Sequence, residues 1–164
     1  MDPTQWLERS APGFDRLSTQ EREAIKDFAL LWSLYEGTVL SATGSAGEIV
    51  RAVGSLRDQG KLNLEPFHPA IEYFSRRYYD GTELTPAFEG LHLRAGDRRP
   101  LVERVIQRQS SDELEILSAI LIIILRLRNN LFHGIKWSYG IQGQLENFQA
   151  ANDVLMAIIT LHES

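Results

Sequence analysis

Leu114-Glu115-Ile116-Leu117-Ser118-Ala119-Ile120-Leu121-Ile122-Ile123-Ile124-Leu125-Arg126-Leu127-Arg128-Asn129-Asn130-Leu131-Phe132-His133-Gly134 is the stretch from which the rest of the chain is read. Its most apolar part, Leu114 to Leu125, is 12 residues broken only by Glu115 and Ser118. A bilayer needs about 20 such residues, so this segment reads as a helix buried on most sides, with no membrane role. Ser110-Ser111-Asp112-Glu113 caps its start and Gly134 stops it, which predicts a main helix over 112–133. At about 100° per residue, Leu117, Ile120, Leu121, Ile124, Leu131 and Phe132 share an apolar arc with Arg128 near its middle. Arg126, Asn130 and His133 fall on the opposite side, with Asn129 beside them. Ile122 and Ile123 extend the apolar stripe beyond the core arc, which predicts a second apolar face for a partner.

Outward from this helix the periodicity is helical almost throughout. Ser18-Thr19-Gln20-Glu21 is a capping-box pattern, and a helix follows over 19–36 with Ile25, Phe28, Leu31, Trp32 and Tyr35 at spacings of three and four. Ser45-Ala46-Gly47-Glu48 repeats the pattern before a helix over 46–58, with Gly60 as its stop. Pro69 opens a third helix over 69–79, residues 82–98 are the least regular interior stretch, and Pro100 begins a short helix. A loop over 134–142 leads to the last helix, over 144–161. Residues 1–17, with Pro3, Pro12 and Gly13, read as an irregular arm in front of one domain over 18–164. The expected fold is an all-α bundle of about five helices.

The 164 residues carry 17 Lys+Arg against 22 Asp+Glu, a net charge of −5. Such a chain has no overall field to hold nucleic acid, so any such binding needs a local basic patch. The cations are 14 Arg and 3 Lys, which favours planar contacts to phosphate or carboxylate. With no cysteine there is no disulfide, thiolate zinc site, iron–sulfur cluster or cysteine nucleophile. Met1 to Asp15 lacks the basic and apolar regions of a secretory leader, and the expected location is cytoplasmic. His68 and His92 have no carboxylate at ligand spacing, so no metal site is expected, and Gly44-Ser45-Ala46-Gly47 lacks the lysine of a phosphate loop.

Arg128-Asn129-Asn130-Leu131-Phe132-His133 resembles the motif of the HEPN superfamily, in which an arginine is followed by a polar residue and, after four to six residues, a histidine. Phe28 to Glu36 more loosely resembles the aromatic-and-glutamate helix of some bacterial members. The resemblance implies a HEPN-like all-α domain and a metal-independent endoribonuclease without cofactor, acting as a toxin or phage-defence effector. It implies a homodimer whose arginines and histidines meet in a cleft at the interface, an RNA substrate, and products ending in a 2′,3′-cyclic phosphate and a 5′-hydroxyl. A cognate antitoxin, either a nucleotidyltransferase or a small protein, is an implied partner. Arg128, His133 and Asn129 are then the catalytic candidates, with Arg126, Asn130 and Glu36 in support. Arg126 also satisfies the spacing and shares a face with His133, but Asn129 follows Arg128, which favours Arg128. Some members carry a modifiable tyrosine two positions after the histidine; here that position is Ile135, and Tyr139 is off the motif. Weaker RNA-binding candidates are Arg76 and Arg77 beside Tyr78 and Tyr79, and Arg94, Arg98 and Arg99 around Asp97. The rival readings are a catalytically inactive HEPN-like module and a helical scaffold in which Arg128 forms a buried structural ion pair.

Overall fold

The computed structural model describes residues 2–134 and 140–164, so Ile135 and Tyr139 lie outside the described residues. Among these residues there are eight α-helices and no strand, against an expected five or so helices. Two of these helices, the first and the fifth in chain order, are pieces that the sequence did not announce. Helix α1, Pro3–Ser10, corrects the irregular arm: Asp2 caps it by accepting from Thr4 N, and Pro3 stands at its first turn. Helix α5, Pro86–Glu89, breaks up the stretch expected to be irregular. Helix α6, Arg99–Ile106, is the short helix announced by Pro100.

The longer helices lie close to their expected bounds. Helix α2, Thr19–Thr38, opens with a complete capping box between Ser18 and Glu21 and buries Ala24, Phe28, Trp32 and Tyr35 along one stripe. It runs through Gly37 rather than ending there. Helices α3, Ala46–Asp58, and α4, His68–Tyr78, follow. Helix α7, Glu113–Phe132, is the main helix, and α8, Leu145–Glu163, is the last.

Helix α7 packs against α3, α6 and α4, and α8 packs against α2 and α4. Every residue from Leu117 to Leu127 is buried. Ile122 and Ile123 are both fully covered within the single chain, which removes the second apolar face expected on this helix. Each such isoleucine stabilises the fold by about 1.5–3 kcal/mol. Polar cross-ties fix the α8 side: Asn152 Nδ2 donates to Ala24 O and Tyr73 Oη donates to Asn147 Oδ1. Among the described residues no helix is long and apolar enough to cross a membrane.

Candidate functional site at the end of α7

The last turn of α7 carries Arg128, Asn129 and Phe132, and His133 is its C-cap. Gly134 follows at φ 74°, the left-handed turn that a residue without Cβ adopts freely and that ends the helix. His133 and Phe132 are exposed, while Arg128 and Asn129 are half-buried. The Arg128 guanidinium is held from three sides. Its Nη1 donates to Asn129 Oδ1 at 3.0 Å, its carbon lies 5.1 Å over the Phe132 ring, and its Nη2 is 3.8 Å from Glu36 Oε2. Its Nε has no hydrogen-bond partner.

Glu36 reaches this position from the end of α2 because both its oxygens are fixed. Trp32 Nε1, four residues back on the same helix face, donates to Oε2 at 2.7 Å. The Gly44 amide donates to Oε1 at 2.9 Å. A Cβ at Gly44 would stand 2.7 Å from Glu36 Oε1 and 3.1 Å from the Trp32 ring, so a larger residue there would push the carboxylate away from its present position. Trp32 and Gly44 were not among the sequence candidates. The spacing of Trp32 and Glu36 was legible, but the approach of Gly44 is a tertiary fact.

Arg126 and Asn130 are a correction to the helical-wheel reading. That reading placed them with His133 on a polar face; the structure buries Arg126 to 1% exposure and Asn130 completely. Arg126 Nη1 lies 3.3 Å from Asp97 Oδ2, Nε donates to Leu91 O at 3.1 Å, and Nη2 donates to Asn130 Oδ1 at 3.4 Å. Asn130 Nδ2 in turn donates to Gly90 O and Leu91 O, both at 3.2 Å, and Asp97 Oδ2 accepts the Arg94 amide at 2.7 Å. Burial pushes the Arg126 pKa down, Asp97 opposes this, and the charge of Arg94 adds to it. The buried structural arginine is therefore Arg126, which pins the loop over 90–97 onto α7. Arg128 sits at the helix edge, not in the apolar core.

The remaining basic candidates separate in the same way. Arg99 is occupied: its guanidinium pairs with Glu89 at 2.6 Å and with Glu103, and it covers the Phe88 ring at 5.3 Å. Arg94 and Arg98 are exposed and form no ion pair among the described residues. Arg76 and Arg77 line an open cleft with Tyr73, Ala87 and Glu146. His68 and His92 are exposed, and no group of three metal-ligating side chains converges among the described residues.

No family model, curated protein or solved structure matches this chain. The chemistry of the site is thus read from its own groups. A guanidinium fixed at a helix edge can clamp an anion, and an exposed imidazole one turn on can give or take a proton at neutral pH.

Proposed function

We propose that the chain is a HEPN-like, metal-independent endoribonuclease, a toxin or phage-defence effector acting in the cytoplasm as a homodimer. The observation that carries this reading is the contrast between two arginines. Arg126 is enclosed in the core, whereas Arg128 is held by Glu36 and Asn129 at the helix edge, five residues before the exposed His133. Of the two arginines that fit the motif, only Arg128 keeps solvent exposure, which supports its role as the motif arginine.

Each chain offers one histidine here, and cleavage by the 2′-hydroxyl needs two proton transfers. In a dimer one His133 removes the 2′-hydroxyl proton as O2′ bonds to phosphorus. The other His133 protonates O5′ as the phosphorus–O5′ bond breaks. The two Arg128 side chains stabilise the charge that develops on the phosphoryl oxygens. The products are a 2′,3′-cyclic phosphate and a 5′-hydroxyl. Asn129 positions Arg128, and Glu36 holds it from α2. A cognate antitoxin, a nucleotidyltransferase or a small protein, restrains the activity.

RNA cleavage by the purified protein in EDTA tests the reading. His133→Ala, at an exposed position, is expected to fold normally and to lose cleavage by about 10²-fold or more. Arg128→Ala is expected to lose it as well. EDTA-resistant cleavage by His133→Ala at the native rate would falsify the assignment. The exposed Phe132, Leu30 and Leu34 favour one second reading, a HEPN-like interaction module without catalysis. That module would dimerise and leave RNA intact.

A further inference from the structure

Eight of the 14 arginines pair with a described carboxylate. Of the six others, Arg76 and Arg77 lie in one groove, and Arg94 and Arg98 lie on the loop that supplies one of its walls. In a chain of net charge −5, four of the six arginines without a described carboxylate partner are thus in this groove or on its wall loop, and Arg9 and Arg16 lie near the N-terminus.

The groove consists of two adjoining hollows that share Arg77 and Ala87. The outer one, about 470 Å³, is lined by Tyr73, Arg76 and Arg77 from α4 and by Glu146 from α8. The inner one, about 170 Å³, reaches Gly90 and Leu127. One carboxylate, Glu146, thus faces two guanidinium groups. Arg77 is held 5.9 Å over the Tyr78 ring with its Nε lacking any hydrogen-bond partner, and Tyr73 is fixed by its bond to Asn147. The Gly90 wall is tied to α7 by Asn130. Leu127 precedes His133 by six residues, roughly 9 Å along the helix axis.

We infer that this groove carries the phosphodiester backbone of a single-stranded RNA, with Arg76 and Arg77 on successive phosphates of the strand that leads to the His133 end of α7. The inference rests on the ribonuclease reading for the identity of the strand, but not for its charge. An acidic protein segment is the competing occupant. A protein partner anchors itself by apolar side chains in pockets, whereas the outer hollow is open and, apart from Ala87, lined by Tyr73, Arg76, Arg77 and Glu146. A backbone of repeating anions beside an aromatic ring fits it better.

The test uses a fluorescent 2′-O-methyl oligoribonucleotide, which has no 2′-hydroxyl proton and is not cleaved. Its binding to the native protein, Arg76→Gln, Arg76→Glu, Arg77→Gln and the double glutamine variant is followed by anisotropy across a salt series. The double variant is expected to bind at least roughly tenfold more weakly. Its logarithmic salt slope should be shallower by about 0.7 for each phosphate that is no longer neutralised. Arg51→Gln, which alters an arginine paired with Glu48, should bind as the native protein does. Arg76 is exposed and makes no ion pair among the described residues, so its variants should melt with the native protein. Native affinity and slope in Arg76→Glu, or no binding by the native protein, would overturn the inference. Equal competition by polyglutamate would also overturn it and give the groove to an acidic protein. Groove-dependent binding without cleavage of ordinary RNA would defeat the ribonuclease reading alone, whereas cleavage with groove-independent binding would defeat this inference alone.

Discussion

Arg126 and Arg128 stand two residues apart, and their surroundings give them different energetics. Arg126 is enclosed with Asp97, so truncating it leaves a buried carboxylate without its cation. Arg126→Ala is expected to destabilise the protein by about 3–5 kcal/mol in urea denaturation. Arg128 is partly solvated and its 3.8 Å pair with Glu36 is long, so Arg128→Ala should cost about 0–1 kcal/mol. Equal losses in the two variants would refute the division of a structural from a functional arginine. His162 sets a second expectation at this scale. Its Nε2 is buried without a partner, and burial, Lys61 and Arg51 together hold its pKa below the ordinary 6.5. The unfolded chain then binds the proton more readily than the folded one. The contribution of His162 to stability is complete above pH 6.5 and is lost as the pH falls below that value towards the folded-state pKa. Chemical denaturation at stepped pH should show this loss, and His162→Gln should flatten it.

At the scale of elements, α7 organises the molecule because every side of its middle is covered. Asp112 caps its start by accepting from Glu115 N, and Glu115 is held by Arg104 and Ser110. Its far end carries the candidate site and, two residues before Arg128, the arginine that pins the loop over 90–97. Ser118 is the exception in its apolar middle: the residue is fully buried and its hydroxyl has no hydrogen-bond partner. Removing an unsatisfied hydroxyl relieves its desolvation cost while leaving only a small void. Ser118→Ala should therefore be neutral or stabilise by up to about 1 kcal/mol, read from the denaturation midpoint. A loss above that range would mean that the hydroxyl has a partner in solution.

For the whole molecule, the expected two-fold assembly changes its footing. Ile122 and Ile123 are used up within one chain, so a dimer has to form on other apolar surface. Leu30 at 66% exposure and Leu34 at 49% lie one turn apart on α2, and Phe132 at 56% lies beside Arg128. In the proposed dimer, a second copy would cover these residues. Leu34→Glu is expected to shift the mass in light scattering from dimer to monomer, leave the melting temperature unchanged and abolish cleavage. A native protein that is monomeric and still cleaves RNA would refute the shared cleft.

By itself the sequence determined the all-α class and the bounds of the long helices, because caps and apolar spacing act within a few residues along the chain. Ser18 with Glu21, Ser45 with Glu48, and Asp112 before the apolar run each mark a start that the structure keeps within a residue or two. It also marked Glu36 and Arg128 as members of one candidate site, and the structure brings them to 3.8 Å. Asp2 and Pro3 carried the signal for α1, which Pro12 and Gly13 masked by their weight in so short a segment. Tertiary structure alone decided which arginine is buried. A helical wheel ranks faces by their apolar content, but the middle of α7 is enclosed on all sides, so its polar residues divide by what lies opposite them. Asp97 and the carbonyl groups of Gly90 and Leu91 come from a loop about 30 to 40 residues earlier, and they make the core the low-energy place for Arg126 and Asn130. Arg128 meets Glu36, with its carboxylate held by Trp32 and Gly44, and therefore stays at the edge.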